Sequence, residues 1–150
     1  MRRNDRAISL EEARNLLAAA EYGVLSMASL TGVPHGIPLN FSLVANSIYF
    51  HCAPEGRKIV ILAANARVSF CVVGSTRVLP SQFGTEYDCV VVTGSVEELA
   101  AEEKRQGLVF LVKKYSPDHV EAGLEYIDKR IDQAKVFRIQ IETITGKARK

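Results

Sequence analysis

Between residues 24 and 52 three extended runs follow one another with links too short for a crossover, and this restricts the fold more than any other feature of the chain. The runs are VLSMASL (24–30), HGIPLNFSLV (35–44) and SIYFHC (47–52), separated by the turn TGVP and by the turn-prone pair Ala45-Asn46. Parallel neighbours need a dozen or more residues between them, so these runs must be antiparallel, and they read as a three-stranded meander. RVSFCVV (67–73), EYDCVVVTGSVEEL (86–99) and KVFRIQIETITG (135–146) supply a fourth, fifth and sixth strand, the last with Phe137, Ile139 and Ile141 on one face. GSTRVLPSQFGT (74–85) reads as a loop. Six antiparallel strands predict a mainly β fold, a closed or nearly closed barrel with flanking helices, because closure removes exposed edges.

The helices are marked separately. Ser9-Leu10-Glu11-Glu12 is a capping box, and Leu10, Ala13, Leu16, Leu17 and Ala20 continue at helical spacing, which predicts an amphipathic helix over about 10–20. EGRKIVILAANA (55–66) reads as a short helix, and helical periodicity returns over 100–130 with a break at Ser116-Pro117. With 150 residues, no repeats and no linker, a single domain over 1–150 is expected.

Composition removes several classes of function. A formal net charge of +2 gives no global field for nucleic acid or an anionic membrane, so any anion must be held locally. MRRNDRAISL has no apolar region of signal-peptide length, and no apolar run reaches the roughly 18 residues of a membrane span, so a soluble, cytoplasmic protein is expected. Cys52, Cys71 and Cys89 are odd in number and form no CxxC pair, which fits reduced, buried thiols. Neither GxGxxG nor GxxxxGK[ST] occurs.

The chemistry gathers in IYFHCAPEGRKIVIL (48–62), where a strand ends in His51-Cys52 and a helix opens on Gly56-Arg57-Lys58. A helix start already carries free N–H groups and the positive end of the macrodipole, so cations there cost up to about 1 kcal/mol each unless an anion meets them. Either a phosphate monoester does so, using N–H groups, guanidinium and ammonium together, or both side chains extend into water or pair with Glu55. Charge-assisted contacts of about 1.5 to 3 kcal/mol each barely reach the roughly 8 kcal/mol of micromolar binding, so such a ligand also needs an apolar body. Pro38, which can give no ladder hydrogen bond, marks an edge or a place where the backbone faces something other than another strand, and this stretch could border that body.

GVPHGIPLNF, IYFHCAPEGRKIVILAANARVSF, YDCVVVTGSVEEL and FRIQIETITGKA, in this order, resemble the pyridoxamine 5'-phosphate oxidase-related flavoproteins, in particular the 5-nitroimidazole reductase branch. The resemblance covers nearly the whole chain. It implies an FMN-binding split β-barrel that forms a homodimer with FMN in two interface clefts. Carried over by position, Pro38, Leu39, Asn40 and Phe41 line the isoalloxazine with backbone groups, His51 and Cys52 lie beside the flavin, Arg57 and Lys58 hold the phosphate, and Val68 and Ser69 lie on the neighbouring strand. His51 is the catalytic candidate, as a hydrogen-bond or proton donor to a reduced product.

The implied activity is an FMN-dependent reductase taking electrons from a donor such as NAD(P)H to a small organic acceptor, for example a nitroimidazole or other nitroaromatic. The alternatives are a non-catalytic redox sensor or carrier, in which Cys52 near cations would have a lowered pKa, and a split barrel holding haem or a deazaflavin. The ending TGKARK lacks the arginine-rich substrate segment of the oxidases themselves, which ranks pyridoxamine-phosphate oxidation below the reductase. His35, His119 and Tyr87 are expected at the surface or in packing, no metal site is expected, and Arg2, Arg3, Arg6, Lys147, Arg149 and Lys150 form basic, solvated ends.

Overall fold

The computed structural model describes residues 3–150, so Arg2 lies outside the described residues. Seven strands form one antiparallel sheet: β1 (Gly23–Ala28), β2 (Pro34–Leu39), β3 (Ser42–Val44), β4 (Ser47–Cys52), β5 (Arg67–Leu79), β6 (Gly84–Leu99) and β7 (Lys135–Arg149). Their order across the sheet is β2-β1-β5-β6-β7-β4-β3. Four helices flank it: α1 (Leu10–Ala19), α2 (Arg57–Ala64), α3 (Ala101–Tyr115) and α4 (Val120–Arg130). No helix among the described residues is long and apolar enough to cross a membrane.

The expected six strands become seven because the run 35–44 breaks at Asn40-Phe41. β2 pairs with β1 at one edge of the sheet, while β3 pairs with β4 at the other, so the expected meander does not form and β4 takes β7 as its second neighbour. No hydrogen bonds join β2 to β3, and the barrel is therefore not closed. The two edges must nevertheless meet. Three residues of chain reach at most about 11 Å, whereas the outer strands of a flat seven-stranded sheet stand roughly 29 Å apart. The sheet rolls until its edges converge on this corner.

Tyr115, at the end of α3, holds the corner. Its hydroxyl accepts from the Phe41 N–H at 2.9 Å, and its single proton is shared between the carbonyls of Glu21 at 2.6 Å and Phe41 at 2.8 Å. The Asn40 side-chain amide also donates to the Glu21 carbonyl, at 2.9 Å. Two strands that would otherwise run on as one thus turn around backbone groups satisfied by side chains. Tyr115→Phe leaves the Phe41 N–H without its acceptor and should lower stability by about 1 to 3 kcal/mol, read as a lowered urea midpoint at unchanged slope.

The remaining elements follow the sequence pattern. The Ser9 hydroxyl accepts from the Glu12 N–H at 3.1 Å and the Glu12 carboxylate accepts from the Ser9 N–H at 2.8 Å, the reciprocal capping box. Phe137, Ile139 and Ile141 all face the core, with Leu17, Leu25, Ile48, Phe50, Phe70 and Val92. The segment 74–85 is a hairpin rather than a loop: β5 continues to Leu79 and β6 begins at Gly84, with an irregularity between Val73 and Thr76. A second irregularity lies between Thr93 and Gly94, where a Cβ on Gly94 would stand 2.1 Å from the Gln140 carbonyl oxygen. Close approach of β7 there requires glycine.

Candidate cofactor site

β4 carries the first part of the site. Ile48 and Phe50 point into the core, so His51 points outward with Tyr49, whose ring meets Phe110 of α3 edge-on at 4.9 Å. β3 pairs with β4 only as far as Tyr49, so His51 and Cys52 have β7 on one side and no strand on the other. Both residues border a cleft of about 370 Å³ between α3, α4 and the end of β4. His51 keeps solvent access at one edge, yet the cleft walls desolvate its ring enough to lower its pKa below the usual 6.5. The imidazole is therefore neutral at neutral pH. An NMR titration of its ring protons should place the midpoint below 6.5. The unfolded chain then takes up this proton at a higher pH than the folded one, so His51 makes stability fall as pH drops below about 6.5.

After the turn, Gly56 takes φ 121° and ψ 171°, a conformation open to glycine alone, and a Cβ there would meet nothing within 4 Å. The demand on Gly56 is thus conformational, not steric. No acidic residue lies in the first turn, and neither Arg57 nor Lys58 forms a salt bridge among the described residues. Glu55, the alternative partner, does not pair with them. Asn65 anchors the far end of α2, donating from its amide to the Ala28 carbonyl at 2.9 Å and accepting from the Arg67 N–H at 3.1 Å.

Cys52 joins the two halves, bordering the cleft with the positive charge of Lys58 near enough to act on its thiol. Burial raises its pKa and outweighs the lowering effect of Lys58; Glu98 raises it further. The lowered thiol pKa expected of a sensor cysteine is therefore not found. Cys71 and Cys89 are also half-buried rather than fully buried, with pKa values pushed up by burial.

The outer face of the sheet offers a flat surface. One row across five strands reads Pro38, Val24, Cys71, Val91 and Thr145, and the next reads Gly36, Ser26, Ser69, Thr93 and Thr143. The side chains are small, and Val24 and Val73 remain 38% and 60% exposed. Ser69 belongs to this face, whereas Val68 is turned into the core with its backbone held between β1 and β6, and offers a ligand no surface. Pro38 lies on an edge strand, where its missing N–H costs no ladder bond, and Leu39 turns toward the interior. Phe41 is fully buried and its backbone is engaged by Tyr115, so neither its ring nor its amide can line a flavin.

Other residues stand apart. His119 is exposed in a short 3-10 turn, while His35, expected at the surface, is half-buried opposite Met27. Among the described residues no three His, Cys, Asp or Glu side chains cluster as a metal site. Tyr87 sits inside β6 opposite Arg149, with the Lys147 ammonium 5.6 Å from its ring. Lys147 and Arg149 are thus strand residues, and Arg3 pairs with Asp5 at 2.6 Å.

The family model for pyridoxamine 5'-phosphate oxidase matches residues 9–148. The chain belongs to this family. A comparison with curated proteins found no match. Among solved structures, a candidate 5-nitroimidazole antibiotic resistance protein from Bacteroides thetaiotaomicron is 23% identical with a TM-score of 0.78, covering 95% of this chain and 86% of that one. An FAD-binding protein from Mesorhizobium loti is 28% identical with a TM-score of 0.69, covering 97% and 98%. An FAD and haem binding protein from Mycobacterium smegmatis is 18% identical with a TM-score of 0.79, covering 95% and 72%. The mainly β split-barrel fold is common ground for all of them, and the family's cofactor chemistry is the frame for the site.

The cleft walls on α3 and α4 were not among the sequence candidates. Leu108, Leu111 and Val112 recur at helical spacing on α3, and Tyr126 and Arg130 are i,i+4 on α4. That spacing marks a shared helix face, but only the fold brings the two faces to His51.

Proposed function

We propose that the chain is an FMN-binding flavoprotein that reduces a small organic acceptor, a nitroimidazole or other nitroaromatic, with electrons from a donor such as NAD(P)H. The observation that carries this reading is the start of α2, where two cations without carboxylate partners and a glycine-directed helix end stand beside the strand end bearing His51 and Cys52. These residues suit a phosphate: Arg57 provides a fork of donors, Lys58 a point charge, and the first N–H groups of the helix further donors. The flavin, when bound, supplies two-electron redox chemistry, and the protein supplies orientation, electrostatics and exclusion of water.

Each candidate residue then has a bounded task. Pro38 and Ser69 present the outer face and edge of the sheet to the flavin body, and Leu39 and Asn40 fix the corner behind it. His51, neutral at neutral pH, can hold a hydrogen bond to the acceptor. A second copy seated on the flat outer face would cover the exposed valines and complete the cofactor cleft as a homodimer. The raised pKa of Cys52 weighs against a thiol-based sensor.

The visible spectrum of the purified protein tests the cofactor. A flavin spectrum, with FMN released on denaturation, supports the proposal, while a Soret band replaces flavin by haem and a colourless protein that takes up no added flavin rejects it. Anaerobic reduction with NADH or NADPH followed by a nitroimidazole tests turnover: reoxidation of the flavin is expected, and a flavin that stays reduced leaves a binding protein only.

A further inference from the structure

The cleft beside His51 has an asymmetry that phosphate anchoring at α2 leaves unused. Its volume of about 370 Å³ is within the usual range for small-molecule sites and well above the roughly 150 Å³ that holds benzene. Leu108, Leu111 and Val112 of α3 face Tyr126 and Ile127 of α4 across it, so the body of a ligand would meet apolar walls. Among the described residues no acidic side chain borders the cleft.

Among the described residues the one permanent charge on the wall is Arg130, whose guanidinium lies 5.1 Å from the Tyr126 ring centroid and forms no salt bridge. The helix dipole favours a cation at the end of α4. It does not call for that cation to be stacked on an aromatic ring at the lip of an apolar cleft free of acids. The opposite wall carries His51, neutral at neutral pH, which adds a hydrogen-bonding group without adding charge. Cys52 on the cleft wall feels the charge of Lys58, so an occupant of the cleft would lie near the start of α2.

We infer that this cleft is the acceptor subsite and that it selects an aromatic carboxylate, with the ring between Leu111, Val112 and Ile127 and the carboxylate paired with Arg130. Its role as an acceptor subsite rests on the flavin-reductase reading. Its preference for an aromatic anion rests on the cleft alone.

Equilibrium binding of 4-nitrobenzoate and of uncharged 4-nitrobenzamide to the purified protein, followed by calorimetry, separates shape from charge. A carboxylate can take a two-bond ion pair from the guanidinium where the amide carbonyl takes a single hydrogen bond, which should give about tenfold tighter binding of the acid. Arg130→Gln, at an exposed position, should erase that preference by weakening the acid far more than the amide. Leu108→Phe, which narrows the cleft, should weaken both ligands. Equal affinity for acid and amide in the unaltered protein, a preference that survives Arg130→Gln, or ligands indifferent to Leu108→Phe in a protein with an unchanged melting temperature would each overturn the assignment. The flavin absorbance of the same samples reads the cofactor separately. Acid preference in a protein that takes no flavin keeps the subsite and discards the reductase, and a flavin-loaded protein without acid preference does the reverse.

Discussion

Replacing Arg57 and Lys58 together by alanine should weaken flavin binding by about 10²- to 10⁴-fold while leaving the fold intact. The size follows from losing two charge-assisted contacts of about 1.5 to 3 kcal/mol each, at about 1.4 kcal/mol per tenfold change. Arg57 is exposed and Lys58 half-buried, and neither forms a salt bridge among the described residues. Their removal should therefore cost the barrel little. Removing two cations from the positive end of α2 should, if anything, favour the free helix. The measurement is quenching of FMN fluorescence on titration with protein, beside a melting curve without cofactor. Binding at unaltered affinity would show that the phosphate is held elsewhere. A collapse of the melting temperature would instead show that the two side chains support the fold.

The elements that identify the site were readable in the chain because each has a local cause. The capping box of α1 depends on Ser9 and Glu12, three residues apart. The opening of α2 depends on Gly56 alone for its backbone geometry. The alternation of Phe137, Ile139 and Ile141 reports one strand in contact with one core. The seventh strand was not readable in this way. Nothing within 35–44 states that the chain should turn at Asn40-Phe41, since the partner that stabilises the turn, Tyr115, lies 74 residues away from Phe41. Phe41 was misassigned for the same reason. Read as part of one unbroken strand, its backbone groups stay open to a ligand, whereas at the corner they are bonded to Tyr115 and the ring becomes the plug of the barrel. The hairpin over 74–85 was hidden by its glycines, serines and proline, which signal turns locally but are overridden here by pairing of β5 with β6. Cys52 shows the limit for electrostatics: sequence reveals the neighbouring lysine but not the burial that outweighs it.

Phe41→Ala should be the most destabilising of the substitutions considered, at about 3 to 5 kcal/mol. The ring is 0% exposed, meets Phe70 edge-on at 4.7 Å, and lies 4.0 Å from the Lys114 ammonium, which donates to the Ala20 carbonyl at 2.7 Å. Its loss opens a cavity at the point where the two sheet edges converge, and takes from a half-buried ammonium the aromatic face beneath it. Lys114 already has its pKa lowered by burial, so a less favourable surrounding for its charge adds to the cost of the cavity. Against a typical total of 5 to 15 kcal/mol, such a loss should move the urea midpoint far toward zero. Phe41→Leu keeps most of the volume and should cost under about 1.5 kcal/mol, with flavin affinity unchanged because the ring faces the core and not the cofactor. If the leucine variant lost flavin as completely as the double variant of α2, or if the alanine variant unfolded at the unaltered midpoint, the corner would not be the joint on which the barrel turns.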